Sequence, residues 1–300
     1  PCIGCNECLN AGFSGKMMHC SVNPQCFSED DKLKEATENK KVLVVGAGPG
    51  GMKAAITAAK RGFEVELWEK TNQLGGNLLA AGGPEFKNDV LDYVDYLKGK
   101  VYRNNINIKM MKNGTAEEIL RKDYDKVILA TGSKPAVPPF ADTEKDKVVF
   151  ANDILLNEED YGEKVVVIGG GLVGCETAAH CAENAEEVTI IEMLEDILVT
   201  TDHCKNNDQA LRQLLKDSNI NIIADAEIKE LKDEEIKYEK DNKAKSIKAD
   251  TYILATGYKA NDELYDKLNA KINVSKIGDA VEPDKILDAV HQGFHIINNL

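Results

Sequence analysis

Val42-Leu43-Val44-Val45-Gly46-Ala47-Gly48-Pro49-Gly50-Gly51 decides the fold of this chain. Four β-formers run straight into Gly-x-Gly-x-x-Gly. An Ala-rich helical run, Met52 to Lys60, follows and Gly62 stops it. A second strand, Glu64 to Trp68, ends in Glu69. This is the strand–turn–helix–strand order of a dinucleotide-binding fingerprint, with its acidic residue about 20 positions on. Gly46 permits the tight turn, Gly48 lets backbone approach a pyrophosphate, and Gly51 lets helix and strand pack closely. The helix N-terminus, with Pro49 in its first turn, offers unpaired N–H groups and a positive dipole end to phosphate. Glu69 is placed to accept the ribose hydroxyls of an adenosine.

The unit recurs. Lys164-Val165-Val166-Val167-Ile168-Gly169-Gly170-Gly171-Leu172-Val173-Gly174 is a second strand and glycine turn. A helix (Cys175 to Asn184) and a strand (Val188 to Ile191) follow, and Glu192 ends the strand. Gly46 to Gly169 and Glu69 to Glu192 are both 123 positions apart; Ile253-Leu254-Ala255-Thr256-Gly257 echoes Ile128-Leu129-Ala130-Thr131-Gly132 at an offset of 125. Landmarks kept in step mean two copies of one fold. The second copy lies between the two Ala-Thr-Gly turns. The first is therefore read as a split domain, completed by the return segment 259–300.

The fold class expected is α/β, with two Rossmann-like dinucleotide-binding domains, the second inserted in the first. Boundaries are expected at 1–38 for a Cys-rich segment, at 39–145 plus 259–300 for the first domain, and at 146–258 for the second. Helices are expected over Asn88 to about Arg103 and Asn206 to Ser218. Ile106 to Met110 alternates as a strand does. A short β-meander covers Glu227 to Lys248, and Ala270 to Val274 reads as extended. Gly278-Asp279 before a helix N-terminus can place a carboxylate on a ribityl chain.

Thirty-seven basic against 51 acidic residues leave a net charge of −14, which argues against nucleic acid and anionic membrane. No apolar run is long enough for a membrane span to be expected, and no signal peptide is expected. Pro1-Cys2 opens the chain inside a cysteine motif without a starting Met, so a piece of a longer polypeptide is expected. Five of the eight cysteines fall between Cys2 and Cys26, counting both. In a large dinucleotide-binding chain such clustering fits metal or redox chemistry in the cytoplasm better than a secreted disulfide scaffold. Cys2, Cys5 and Cys8 form C-x2-C-x2-C, and Cys20 follows after eleven intervening positions. Three thiolates in one short loop with a remote fourth suit a [4Fe–4S] cluster; a structural zinc site is the other reading. Cys26 is read as a spare thiol and residues 28–41 as a short helix or linker. Cys175 and Cys181 are read as buried packing, and His180 and His203 as structural or exposed.

Glu192 also bears on coenzyme choice. A carboxylate bonds a free 2′-hydroxyl and repels a 2′-phosphate. Met193, Leu194, Glu195 and Asp196 supply no cation to offset it, so NADH is expected over NADPH.

Taken in order, these motifs resemble the two-dinucleotide-domain flavoproteins. Cys2-Ile3-Gly4-Cys5-Asn6, the Cys20-x-Val22-Asn23-Pro24 box, Leu74-Gly75-Gly76-Asn77 and Gly278-Asp279-Ala280 resemble the C-terminal half of the 2-enoate reductase, 2,4-dienoyl-CoA reductase and trimethylamine dehydrogenase family. Val281 to Ala289 is most similar to the enoate-reductase branch. The resemblance implies FAD on Gly46, Gly48, Pro49, Gly51, Glu69, Lys70, Gly76, Asn77, Thr131, Gly132, Gly278 and Asp279. It implies NADH on Gly169, Gly171, Gly174, Glu192 and Gly257, and the cluster on Cys2, Cys5, Cys8 and Cys20. It further implies a preceding FMN-binding TIM barrel of the same polypeptide, which would hold an enoate or enoyl-CoA substrate, and a homo-oligomeric full-length enzyme. Electrons would pass from NADH to FAD, to the cluster and on to FMN. Position 77 is Asn where relatives carry Gln. The related disulfide reductases carry a Cys pair after the Leu-Gly-Gly region; Leu78 to Gly83 contain none, which excludes that chemistry. No acid–base constellation is found, as hydride transfer to a flavin requires none from the protein. A separate electron-transfer subunit of the glutamate synthase small-subunit type and a non-catalytic nucleotide-binding protein are the alternative readings.

Overall fold

The computed structural model describes residues 1–27, 33–144, 147–199, 204–232 and 235–300. His203 and residues 28–32 of the expected linker lie outside them. Along the chain run α1 (Glu7–Phe13), β1 (Lys41–Val45), α2 (Pro49–Arg61), β2 (Glu64–Trp68), α3 (Asn88–Arg103), β3 (Ile106–Lys109) and β4 (Lys126–Leu129). Next come β5 (Val148–Phe150), β6 (Lys164–Ile168), α4 (Leu172–Cys181), β7 (Glu187–Ile191), α5 (Lys205–Asp217) and β8 (Asn221–Ile223). Three strands, β9 (Glu227–Lys232), β10 (Glu235–Lys240) and β11 (Lys243–Lys248), precede β12 (Thr251–Leu254), β13 (Val274–Lys276) and α6 (Ile286–Asn298). The chain divides into two compact units: residues 1–79, 89–134 and 259–300, and residues 80–88 with 135–258.

The first unit is built on a parallel sheet of order β13-β4-β1-β2-β3. Leu43, Val45, Trp68, Val127 and Leu129 pack from one face against Ile119 and Leu268. Val42 and Val44 are equally buried, as are Met52, Ala54 and Ala55 of α2. A strand covered on both faces has no polar side to show, which is why β1 reads as an unbroken apolar run. Residues 33–40 form no helix; they are tied to the end of α2 by Ala36 N–H to the Arg61 carbonyl (2.9 Å) and Arg61 Nε–H to the Lys34 carbonyl (2.7 Å).

The second unit repeats the plan, with order β5-β12-β6-β7-β8. The sequence offsets reappear as register. Val42 pairs with Val65 and Val165 with Val188; Lys126 pairs with Val42 and Thr251 with Val165. Val165, Val167 and Ile190 face a core closed by Ala178, Leu211 and Leu215. Val166, Ile168 and Ile191 face the antiparallel β9-β10-β11, through Leu231, Ile236 and Tyr238.

Two segments differ from expectation. The helix expected from Cys175 begins at Leu172, because Gly171 already serves as its N-cap. The extended run expected at Ala270–Val274 is a strand at Val274–Lys276. Lys271 and Ile272 N–H groups still bond the Leu268 carbonyl, closing the preceding helix, Glu263–Leu268.

Trp68 is the only tryptophan, is fully buried, and gives the first unit its own fluorescence signal. Leu67→Ala beside it should lower the stability read by that signal in denaturant by about 2–5 kcal/mol, since a fully buried leucine leaves a cavity. An unchanged midpoint would contradict the packing described. Glu66 provides a pH test. Burial alone raises its carboxyl, but hydrogen bonds from Lys109, Trp68, Tyr124 and Lys122 outweigh burial and hold it at about 2, below the ordinary 4.5. A depressed carboxyl contributes stability that is present above pH 4.5 and lost as pH falls toward 2. Glu66→Gln should therefore lower stability at neutral pH and flatten the acid limb between those values; parallel wild-type and variant curves would refute the assignment.

Candidate functional site

The first glycine turn is made by approach distances that exclude any side chain. A Cβ on Gly46 would lie 2.2 Å from the Ala130 carbonyl oxygen, and one on Gly51 would lie 1.9 Å from the Gly46 carbonyl oxygen. A Cβ on Gly48, between them, would meet nothing within 4 Å. It is the N-cap of α2 and no side chain caps that end. The first N–H groups of α2 thus open toward free space at the positive end of a 13-residue helix, the geometry that takes a phosphate.

Glu69 lies beneath this turn, 6% exposed. Its Oε2 accepts from Ala47 N–H (2.8 Å), and its Oε1 accepts from Thr71 N–H (2.9 Å) and meets Thr71 Oγ1 at 3.0 Å. The residue expected on a ribose therefore also staples the glycine turn to the end of β2. A carboxylate has about four acceptor positions, so one remains for a hydroxyl. Gly75 N–H donates to the Ala47 carbonyl (2.9 Å), and a Cβ on Gly76 would lie 2.9 Å from Gly48 Cα. The Gly75-Gly76-Asn77 bend is thereby laid against the glycine turn, while Lys70 and Asn77 are solvent-exposed.

Asp279 joins the same neighbourhood. Its Oδ2 accepts from Ser133 Oγ (2.9 Å). Burial pushes its carboxyl above the ordinary value, against hydrogen bonds from Ser133 and Asn77. Gly278, with φ +60°, donates its N–H to Gln292 Oε1 (2.7 Å). Thr131 Oγ1 donates to the Asn261 carbonyl (2.7 Å), so its hydroxyl holds the return segment; Gly132 next to it has φ +69° and open space at its Cβ position. Ser133 and Gln292 had no signal in the sequence, because each is defined by a partner outside its own local motif.

The second turn reproduces the first. A Cβ on Gly169 would meet the Ala255 carbonyl oxygen at 2.5 Å, and one on Gly174 the Gly169 carbonyl oxygen at 1.9 Å. Gly171 faces open space and caps α4 without side-chain help. Glu192 accepts from Gly170 N–H (2.5 Å) and Leu194 N–H (2.8 Å), the positions equivalent to Ala47 and Thr71. Gly257 has φ +89° with open space beside it, and Thr256 Oγ1 donates to the Ala136 carbonyl (2.7 Å).

Three features here escaped the sequence. Arg212, on α5, reaches the loop after Glu192 that was expected to hold no cation. It is pinned there by Asp196 (2.9 Å), Asp208 (3.1 Å) and the Ile197 carbonyl (2.7 Å), so its charge is already matched. Lys87 Nζ lies 2.7 and 2.8 Å from the two oxygens of Glu176, a buried carboxylate just beyond Gly174 on α4. His180 keeps Nδ1 buried without a partner. Cys175 and Cys181 are buried and their thiols are pushed up to about 12 by desolvation, so neither is a nucleophile at neutral pH.

The cysteine head belongs to the first unit. All eight thiols are free of disulfides. Gly4 has φ +63° and directs its N–H toward Cys2 Sγ at 3.4 Å. Cys5 Sγ lies 3.1 Å from Ser21 Oγ, beside Cys20. Cys2 and Cys20 line one cavity of about 430 Å³ with Lys53, Tyr93 and Leu97. Burial and the neighbouring Lys60 lower the Lys53 ammonium to about 8. Cys8 sits in the first turn of α1. The Cys20 carbonyl accepts from His291 Nε2 (2.9 Å), and Glu7 of α1 meets Lys285 at 3.2 Å. Among the described residues no three of His, Cys, Asp or Glu converge closely enough to hold a single metal ion. Also among the described residues, no helix is long and apolar enough to cross a membrane.

Residues 40–284 match the family model described as pyridine nucleotide-disulphide oxidoreductase. The chain is 38% identical to a cinnamate reductase of Clostridium sporogenes, over 100% of its own length and 45% of that protein's. It is 39% identical to an NADH oxidase of Thermoanaerobacter brockii, over 98% and 47%. Among solved structures, a 2-naphthoyl-CoA reductase in complex with 2-naphthoyl-CoA superposes with a TM-score of 0.94 at 32% identity, covering 100% of this chain and 46% of that one. The chain thus spans about half the length of the curated relatives it matches. These matches bear out the resemblance to the enoate-reductase group drawn from the motifs. With its paired glycine turns, the chain is a flavoprotein oxidoreductase with FAD- and NAD-binding Rossmann folds, and it belongs to the pyridine nucleotide-disulphide oxidoreductase family.

Proposed function

We propose that this chain is the NADH-oxidising half of an enoate-reductase-like enzyme, with FAD on the first glycine turn, NADH on the second and a [4Fe–4S] cluster on Cys2, Cys5, Cys8 and Cys20. The observation that carries the reading is the duplicated glycine turn, each copy with a buried glutamate in register and an uncapped helix end behind an open glycine. When bound, FAD supplies the change from hydride chemistry to single-electron chemistry that joins a nicotinamide to an iron–sulfur cluster.

The residues divide the work by position. On the first turn Gly48 and the N–H groups opening α2 take the pyrophosphate, Pro49 presets the first helical turn, and Glu69 takes a ribose hydroxyl. Gly76, Asn77, Thr131, Gly132, Gly278 and Asp279 form the remaining flavin side, with Asp279 aimed by Ser133; Lys70 lies at its solvent edge. On the second turn Gly169, Gly171, Gly174 and Gly257 shape the coenzyme site and Glu192 reads the ribose. The donor set of the head is thiolate, which suits iron–sulfur chemistry. A cuboidal cluster spreads its four thiolates more widely than one ion does. Cys2 and Cys20 line one cavity and the Gly4 N–H points at Cys2 sulfur, contacts that a cluster-bound thiolate uses. No residue of this chain is assigned as a catalytic acid or base.

The electrons would leave through the cluster to an FMN-bearing TIM barrel of the same polypeptide, where an activated C=C bond of an enoate or enoyl-CoA is reduced. A homo-oligomeric, cytoplasmic enzyme completes this reading. Anaerobic assay of the chain loaded with FAD should give NADH-dependent reduction of an artificial acceptor and no turnover of an enoate. Enoate reduction by this chain alone would contradict the division of labour. NADH should be preferred to NADPH, because Glu192 repels a 2′-phosphate and Arg212 is already matched by two carboxylates. Glu192→Gln should raise KM for NADH about tenfold or more, the scale of a lost charge-assisted hydrogen bond, and narrow the preference. Equal rates with both coenzymes in the unaltered chain would overturn the assignment.

A further inference from the structure

Five consecutive residues of α6, Ala289-Val290-His291-Gln292-Gly293, touch three separate parts of the first unit. Ala289 and Gly293 seat the helix on the glycine-turn helix α2: a Cβ on Gly50 would lie 2.8 Å from the Ala289 carbonyl oxygen, and one on Gly293 would lie 2.3 Å from the Gly50 carbonyl oxygen. Gln292 Oε1 accepts from Gly278 N–H at 2.7 Å, which fixes the turn carrying Asp279. His291 Nε2 lies 2.9 Å from the Cys20 carbonyl oxygen. A carbonyl only accepts, so this ring nitrogen carries the proton and donates. The imidazole is flanked edge-on by His19 and His295, at centroid distances of 6.4 and 6.0 Å.

We propose that the His291–Gln292 pair is a two-armed clamp that sets the position of Cys20 relative to the flavin-side turn at Gly278. It rests on the reading of Cys20 as a cluster ligand only for its purpose, and His291 is a positioning residue that acts through Cys20. The physical reason is the weakness of the head's own anchorage. Among its described residues the head's helix, α1, has only seven residues. Cys20 and Asn23 pair in an isolated bridge, with Asn23 N–H donating to the same Cys20 carbonyl at 3.3 Å. A loop this short of regular structure does not hold a thiolate at a defined distance from another group. A rigid helix seated backbone-to-backbone on α2 does. Neighbouring side chains on that helix reach both points, so the separation between them is set within a single helical turn.

The test uses the intact chain with His291→Leu, His291→Gln and Gln292→Leu. In metal-free protein, alkylation of Cys20 is followed by mass spectrometry against Cys2 as internal reference. His291→Leu should speed Cys20 relative to Cys2 about tenfold, the scale of one hydrogen bond lost to a half-buried carbonyl. His291→Gln, whose amide N–H can replace Nε2–H, should restore the wild-type ratio. Gln292→Leu should leave Cys20 alkylation unchanged and weaken retention of FAD on gel filtration. In iron-loaded protein, His291→Leu should lose iron to a chelator faster and shift the electron paramagnetic resonance of the reduced cluster, and His291→Gln should reverse both. Equal Cys20 alkylation in wild type and His291→Leu overturns the clamp. Failure of the unaltered chain to take up iron and sulfide overturns the cluster reading instead, and the alkylation arm still decides the clamp.

Discussion

A glycine at position 51 leaves no room for any other residue, because a Cβ there would sit 1.9 Å from the Gly46 carbonyl oxygen. That approach brings the start of α2 onto the end of β1. It leaves the helix N-terminus facing outward beside Gly48, which has open space where a side chain would be. The same constraint at Gly174 and Gly169 makes the second turn. Buried glutamates then hold each turn to its neighbouring strand through paired N–H donors. Buried carboxylates are costly unless hydrogen-bonded, and here the cost is met by backbone N–H groups that the tight turn would otherwise leave without partners. One arrangement thus solves a folding problem and leaves an uncapped helix N-terminus beside open space.

Around the first turn the return segment supplies what the local sequence cannot. Gly278 and Asp279 lie far along the chain from Gly46, yet Asp279 is held by Ser133 and Gly278 by Gln292. The seating of α6 on α2 through Gly50 and Gly293 is what makes this possible, since larger residues would force the helices apart. The cysteine head is tied to the same region by His291 and Lys285. In a chain of net charge −14, those two links and the Lys53 side of the cavity bring positive or hydrogen-donating groups to a segment proposed to carry thiolates.

Legibility in the sequence followed range. The glycine turns, their glutamates and the duplication were readable because each turn and its glutamate sit within one strand–helix–strand stretch, and the offset between the copies survives as strand register. The sheet was readable because burial on both faces demands an unbroken apolar run. The strand at Val274–Lys276 was misplaced, since turn bonds to the Leu268 carbonyl shift the extended stretch toward the C-terminus, and periodicity does not report them. Arg212 was missed beside Asp196 because a cation reaching back from the following helix leaves no mark on the local motif. His291, Gln292 and Ser133 were missed for the same reason. The four cysteines were proposed from spacing. The structure puts Cys2 and Cys20 on one cavity and Cys5 against Ser21, the neighbour of Cys20, while Cys8 lies in the first turn of α1.

The central claim is that hydride enters at the second turn, is held as flavin at the first and leaves as single electrons at the cysteines. Stepwise anaerobic NADH titration of the chain loaded with FAD, iron and sulfide, followed by visible absorption and low-temperature electron paramagnetic resonance, tests it most directly. The account predicts bleaching of the flavin bands together with growth of a reduced-cluster signal that is lost in Cys20→Ser and retained in Cys26→Ser. Bleaching of the flavin with no paramagnetic cluster signal at any level of NADH would contradict it.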